Sequence, residues 1–88
     1  MYTVVFDDNA IEFLEKLEKK DQKRIFNKII STKENPFHFF EKLTKRDLYK
    51  LRVGEYRVIA DISKNEIKIM ILVIGHRKQV YDDFSRLI

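Results

Sequence analysis

The chain has 88 residues, of which 44% are hydrophobic and 36% charged, with a net charge of +4 and no cysteine. This length supports one domain with a modest core, expected to span residues 1–88. The longest apolar run, residues 69–74, is far too short to cross a bilayer, which excludes a membrane protein built on spanning helices. Disulfides and thiolate metal ligands are impossible, and two separated histidines form no zinc-binding pattern. We expect no metal or cofactor.

The N-terminal residues carry no basic segment and no small-residue cleavage site, and two aspartates follow at once. This pattern is not that of a secretory signal. Together with the absence of cysteine, it leads us to expect a cytoplasmic protein.

Charge is unevenly distributed along the chain. The first eighteen residues sum to −4, so the remaining seventy sum to +8. Residues 41–57 hold six cations against three acids, the cations being Lys42, Lys45, Arg46, Lys50, Arg52 and Arg57. A local excess of this kind suits a polyanion such as RNA, DNA or an acidic protein segment. An ordinary solvated surface is the alternative.

The first half of the chain predicts a strand followed by a helical hairpin. Residues 1–6 are rich in β-branched and aromatic residues, as in a strand. Asp7, Asp8 and Asn9 can cap the next helix, with Glu12 at the capping-box spacing from Asn9. Apolar residues repeat every three or four positions in both helices, at Ala10, Phe13, Leu14 and Leu17, then Ile25, Phe26, Ile29 and Ile30. Asp21 can cap the second helix, and Asn35-Pro36 stops it.

The second half changes to a period of two and predicts three strands. Gly54-Glu55 suits a two-residue type II′ turn, and residues 63–66 form a second turn before a strand over 67–74. The order β-α-α-β-β-β predicts an α+β domain, a mostly antiparallel sheet with the helices on one face. A short C-terminal helix over residues 77–84 would place Arg77 and Tyr81 one turn apart.

The turns fix which side chains share a face. The first places Arg52 opposite Arg57 and Lys50 opposite Ile59 on the face away from the helices. A Lys64-Asn65 loop places Ile62 opposite Ile67 and Ala60 opposite Ile69, with Val73 toward the helices and Ile74 away from them. Like charges across a ladder cost about 0.2–1 kcal/mol, so an anion is expected between the arginines. The alternative is that Glu55 or Asp61 neutralises them or that they splay into water.

Two segments carry a family resemblance: residues 48–59, Leu-Tyr-Lys-Leu-Arg-Val-Gly-Glu-Tyr-Arg-Val-Ile, and the C-terminal segment from Gly75-His76-Arg77 to Val80-Tyr81. With them the chain resembles the RelE/ParE superfamily of toxins of type II toxin–antitoxin systems, and in particular its RelE-like branch. The resemblance covers nearly the whole chain. It implies a ribosome-dependent endoribonuclease that cuts mRNA in the decoding site and is neutralised by a RelB-like antitoxin. Its active positions fall on Lys50, Arg52, Arg57, Arg77 and Tyr81.

Two alternatives to this nuclease stay open. ParE-type members share the fold but act on DNA gyrase and generally lack this residue set. A protein that binds RNA or the ribosome and blocks translation without cutting is the other.

The resemblance leaves the general base undecided. Some members carry lysine at the position of Arg52, and arginine stays protonated in proteins, so the base is Lys50, Tyr81 or His76. An imidazole can accept a proton at neutral pH, but strand alternation points His76 away from Arg77. Lys42, Lys45 and Arg46 are expected to contact ribosomal RNA, or else to form a solvated loop.

Overall fold

A computed structural model describes residues 1–43 and 48–81. Its elements are, in chain order, β1 (Thr3–Phe6), α1 (Asp8–Glu15), α2 (Lys19–Ser31), α3 (Pro36–Phe39), β2 (Glu41–Lys42), β3 (Leu48–Val53), β4 (Tyr56–Ser63) and β5 (Lys68–His76). The predicted α+β class is confirmed, and α3 and β2 are additions that the sequence pattern did not indicate. No helix in the described ranges is long and apolar enough to cross a membrane.

The strands form one five-stranded sheet in the order β1-β5-β4-β3-β2. Strands β2 to β5 pair antiparallel, whereas β1 pairs parallel with β5, so the sheet is mixed. The helical hairpin is what allows the parallel pairing, because it carries the chain over the sheet between β1 and the strands that follow.

Helix α1 begins two residues earlier than the capping-box prediction. Asp7 is the N-cap, and its carboxylate accepts a 3.0 Å hydrogen bond from the backbone N–H of Asn9. Asn9 itself lies inside the helix, so the predicted Asn9–Glu12 capping box is wrong. Helix α2 likewise begins after Glu18 and not at Asp21. It ends at Ser31, and Pro36 opens α3, where its missing N–H is no loss.

The main core lies between the helices and one face of the sheet. The predicted helix stripes supply it: Ala10, Ile25 and Ile29 are fully buried, and the partly buried Phe13, Leu14 and Leu17 pack against them. The sheet contributes its uncharged face, including Leu51, Val53, Tyr56, Val58, Ala60, Ile62, Ile69 and Ile71. The helices therefore cover only this face.

The β3–β4 hairpin has the predicted register. Arg52 pairs with Arg57, and Lys50 with Ile59. Gly54 has φ +59°, which the first position of a type II′ turn requires and glycine adopts at little cost.

The β4–β5 hairpin differs from the prediction by two residues. Ile62 pairs with Ile69, and the turn has four residues, 64–67, because Ser63 pairs with Lys68. The predicted Ile62–Ile67 pair is wrong: Ile67 lies in the turn with φ +53° and is 49% exposed. A shift of two residues keeps the same side chains on the same face.

A β-bulge then reverses the faces of the last part of β5. Ala60 pairs with Ile71 but Ile59 pairs with Val73, so the pairing skips Leu72. Val73, predicted to face the helices, packs in a second cluster on the opposite face, whereas Ile74 joins the main core. The predicted orientations of both residues are wrong.

The segment after β5 folds back over this second cluster. Val80 is fully buried there with Ile59 and Val73. It lies against Gly75, where an added Cβ would be 3.4 Å from Cα and Cβ of Val80. Val80 and Tyr81 have helical geometry, residues 77–79 form a turn, and the rest of the predicted C-terminal helix lies outside the described residues.

Candidate active site

An open groove of about 440 Å³ lies on the sheet face opposite the helices. All five residues predicted as catalytic line it, and the full lining is Glu41, Lys50, Arg52, Arg57, Arg77, Lys78 and Tyr81. Five of these seven side chains are basic and one is acidic. A concave surface with this charge attracts a phosphate group, and the planar donor pairs of arginine suit its oxygens.

Strands β3 and β4 supply the floor of the groove. Lys50 and Arg52 are two residues apart on β3 and so share a face, and Arg57 on β4 pairs directly with Arg52. Neither Glu55 nor Asp61 forms an ion pair with either arginine in the part of the chain that the structure describes. The neutralised pair considered as an alternative is therefore not found there.

Arg57 is held in place by its own turn. Its Nη1 donates hydrogen bonds of 2.8 Å to the carbonyl oxygens of Gly54 and Tyr56. Arg52, by contrast, is exposed. The hairpin thus presents one fixed and one adaptable guanidinium group to the groove.

The bulge at Leu72 brings Arg77 to this side of the sheet. After it, Gly75 is the residue that pairs with Arg57, so alternation places Arg77 on the groove side and His76 on the other. The backbone N–H of Arg77 donates a 2.9 Å bond to the carbonyl of Glu55, which fixes the segment beside the hairpin turn. Tyr81, 38% exposed, follows the buried Val80.

His76 lies on the helix side of the sheet. Its ring centroid is 4.9 Å from that of Tyr56 and 6.4 Å from that of Phe13, both of which belong to the main core region. The structure therefore separates this rival base from Lys50 and Tyr81.

Two residues of the groove, Glu41 and Lys78, are not predicted by the sequence pattern. Glu41 pairs with Lys50 across β2 and β3, and its Oε2 lies 3.9 Å from the Lys50 Nζ. A two-residue strand gives no periodicity, so this pairing leaves no signal in the sequence. Lys78 directly follows Arg77 in the C-terminal segment, and this position next to a predicted site residue is the only feature of the sequence that could have indicated it.

Of the predicted RNA contacts, Lys42 is not among the residues that line the groove. Lys42 pairs with Tyr49, whose side chain packs against the main core, so Lys42 lies on the helix side of the sheet edge. Lys45 and Arg46 lie outside the described residues.

A second polar cluster lies beside the turn of the β3–β4 hairpin. Tyr56 is buried, and burial raises its pKa above the ordinary 10.0, with the nearby Asp21 carboxylate adding to the shift. The Arg24 guanidinium lies 5.8 Å from the ring centroid of Tyr56 and 3.8 Å from Asp21. These contacts tie α2 to the turn from which Arg57 extends.

Comparison with known proteins agrees with this architecture. A family model described as the ParE toxin of the type II toxin–antitoxin system parDE matches residues 4–81. Among curated protein sequences, no significant match is found.

Three solved structures illustrate the structural likeness. The archaeal RelE–RelB complex from Pyrococcus horikoshii OT3 includes a chain with 26% identity and a TM-score of 0.73, covering 90% of this chain and 98% of that one. For the RelBE2 complex from Mycobacterium tuberculosis the identity is 24% and the TM-score 0.78, with 86% and 98% coverage. The isolated RelE toxin of E. coli has 20% identity and a TM-score of 0.73 over the whole of both chains.

The sheet, the helical hairpin and their order are those of the RelE fold. Since the family model spans most of the chain, the protein belongs to the ParE toxin family, within the RelE/ParE superfamily of toxins of type II toxin–antitoxin systems. The resemblance stated from the sequence is confirmed.

Proposed function

We propose that this toxin is a ribosome-dependent endoribonuclease that cleaves mRNA in the decoding site and so inhibits translation. The observation that carries the proposal is the convergence of Lys50, Arg52, Arg57, Arg77 and Tyr81 on one groove. Sheet pairing brings the first three together and the bulge adds the last two, although Lys50 and Tyr81 are 31 positions apart.

The chemistry is an in-line transesterification. The 2′-oxygen of a nucleotide attacks the adjacent phosphorus, the P–O2′ bond forms, the P–O5′ bond breaks, and a 2′,3′-cyclic phosphate and a 5′-hydroxyl result. Negative charge accumulates on the phosphorane oxygens, and the guanidinium groups of Arg52, Arg57 and Arg77 would stabilise it as hydrogen-bond donors. No cofactor is needed for this step.

Proton transfer falls to the other groups of the groove. Arginine cannot accept a proton at neutral pH, so Lys50 or Tyr81 takes the proton of the 2′-hydroxyl in this mechanism. His76 is the weaker candidate because its ring packs on the far side of the sheet. A protonated side chain of the groove, or a group of the ribosome, then supplies the proton to the leaving 5′-oxygen.

The partners of this activity are the ribosome, mRNA and a cognate RelB-like antitoxin, all cytoplasmic. The RelE chains from P. horikoshii and M. tuberculosis were solved as complexes with antitoxins. The net charge of +4 and the basic groove favour an acidic partner segment that folds as it binds.

The test is cleavage of a defined message on purified ribosomes, mapped by primer extension. Wild-type toxin is expected to cut within codons, and Arg77→Ala to lower the rate by about 10²–10³-fold, the usual cost of removing one charge-stabilising donor. Lys23→Ala on the exposed face of α2 is the matched control and should cut normally. Intact message with wild-type toxin would refute the proposal, and stalled ribosomes on that intact message would indicate a non-cleaving translation blocker.

Inhibition of DNA gyrase is the second candidate, because the matching family model is named for ParE. It predicts loss of gyrase supercoiling in vitro with message unaffected. It also gives no role to the five converging groove residues, for which reason we favour the nuclease.

A further inference from the structure

The turn of the β3–β4 hairpin is contacted from both faces of the sheet. On the groove side, Nη1 of Arg57 donates to the carbonyl oxygens of Gly54 and Tyr56, each at 2.8 Å. On the helix side, the guanidinium of Arg24 lies 5.8 Å from the ring centroid of Tyr56, within the range of a cation–π contact. The same two hairpin residues therefore connect a side chain of α2 with a side chain of the groove.

Arg24 also packs closely against Gly54. A Cβ added at Gly54 would lie 3.1 Å from Nη2 and 3.3 Å from Cζ of Arg24, so the glycine leaves the space that this guanidinium occupies. Asp21, one turn earlier on α2, lies 3.8 Å from Nη2 of Arg24 and helps to hold it there. The Arg24 side chain is 53% exposed, so truncating it leaves no cavity in the core.

The orientation of Arg57 depends on these two carbonyl groups. Strand pairing fixes Val53 and Tyr56, which are partners across the hairpin, whereas Gly54 lies in the turn between them. The position of the Gly54 peptide is therefore set by the turn and by the guanidinium packed against it. Atoms in close contact have little room to move, so Arg24 restricts the Gly54 carbonyl on the helix side.

We infer that Arg24 is a positioning residue for Arg57: by packing on Gly54 and Tyr56 it fixes the two carbonyl oxygens that orient the Arg57 guanidinium in the groove. Arg24 itself is not among the residues that line the groove, and it acts only through the turn. The consequence for cleavage rests on the proposed nuclease function, whereas the effect on the orientation of Arg57 does not.

The first experiment observes the Arg57 guanidinium in the free toxin by NMR of its ¹³Cζ and ¹⁵Nη nuclei, assigned by the signal that Arg57→Ala removes. A guanidinium held by hydrogen bonds rotates slowly about its C–N bonds and gives separate Nη signals, whereas a free one gives an averaged signal. Wild type should show separate signals and Arg24→Ala an averaged one. Lys23→Ala is the matched control, because it removes one exposed cation from the same helix, and it should keep the separate signals. Separate signals in Arg24→Ala would overturn the inference.

The second experiment measures message cleavage on purified ribosomes in a double-mutant cycle. Arg24→Ala should lower kcat about tenfold, less than the 10²–10³-fold cost of removing a donor outright, and should leave KM within about twofold of wild type. In an Arg57→Ala background the same substitution should change kcat less than about twofold, because the group that it positions is absent. A general loss of folded protein would lower kcat in both backgrounds, so the cycle separates that effect from positioning.

Two kinetic results would contradict a positioning role. A rise in KM alone would mean that Arg24 contacts the ribosome directly, and effects of Arg24→Ala and Arg57→Ala that multiply would mean that the two arginines act independently. Either result would overturn the inference and leave the nuclease intact. If wild-type toxin leaves message whole, the proposed nuclease is refuted, and the NMR comparison still decides whether Arg24 positions Arg57.

Discussion

The two arginines that face each other across the hairpin differ in how firmly they are held. Arg57 donates to two carbonyl oxygens of its own turn, whereas Arg52 extends into solvent. A guanidinium held in advance loses less conformational freedom when it binds a phosphate oxygen. The placement of Arg57 thus contributes both to the hairpin and to the site.

Arg57→Lys should therefore cost stability as well as activity. A single ammonium cannot reproduce both carbonyl contacts, and we expect a loss of about 0.5–1.5 kcal/mol in the free energy of unfolding. Urea denaturation measures this, with Arg52→Lys as the matched substitution on the facing strand, expected to change stability by less than about 0.5 kcal/mol. Equal losses in the two variants would contradict this account of Arg57.

Tyr56 is expected to make the free energy of unfolding depend on pH in the alkaline range. Its pKa is raised by burial and by Asp21, so the folded state keeps the phenolic proton that the unfolded chain releases near pH 10.0. Below that pH the phenol is protonated in both states, so it adds no pH dependence to the free energy of unfolding. As pH rises above it, the unfolded state binds fewer protons than the folded state and stability falls.

Comparison with Tyr56→Phe isolates this effect. Urea unfolding of both proteins between pH 8 and pH 11 should show wild type losing stability faster than the variant in the upper part of this range. Parallel curves would mean that the phenol is not held in its neutral form.

At the scale of elements, the C-terminal segment is attached through a contact that only a small residue permits. Val80 lies against Gly75, and Gly75 pairs with Arg57 on the groove face. Any branched side chain at position 75 would occupy the place of Val80.

Gly75→Val should displace Val80 and with it Tyr81, while the sheet and helices persist. We expect destabilisation of about 1–3 kcal/mol and a much larger loss of message cleavage than of ribosome binding. Gly75→Ala is the control, because a Cβ there meets Val80 at ordinary contact distance. Gly75→Val with normal cleavage would show that the position of Tyr81 is irrelevant to the reaction.

The elements differ in how far the sequence could specify them. The β3–β4 register was predictable because Gly54 marks a two-residue turn, and with it came Lys50, Arg52 and Arg57. The β4–β5 register was not predictable from the sequence, because its turn ends at Ile67 in a left-handed conformation that β-branched residues seldom adopt.

The bulge left even less trace in the sequence. Leu72, Val73 and Ile74 are all apolar, and both faces of the sheet are covered at this point, so no alternation records the change of face. Arg77 was placed in the site by family resemblance, and the strand pattern alone would have placed His76 there instead.

For the whole molecule, the uneven charge distribution predicts salt-dependent binding to RNA. If the groove neutralises three to four phosphates, log K should fall with log salt concentration at a slope of about −2 to −3 for a single strand. Fluorescence anisotropy with a 2′-O-methyl oligonucleotide, which cannot be cut, measures the slope. The double variant Arg52→Gln/Arg57→Gln should lower its magnitude by about 1.4, and a slope near zero in wild type would exclude the groove as an RNA site.

The additional residue at Leu72 has a consequence for aligning this chain with any relative that lacks the bulge. An ungapped alignment through the last strand matches side chains of opposite orientation whenever one chain has this insertion and the other lacks it. In such an alignment His76 would take the column of a groove-facing residue. A one-residue gap at position 72 is therefore the correction to make before site residues are transferred between relatives, because orientation here follows from strand length and not from residue identity.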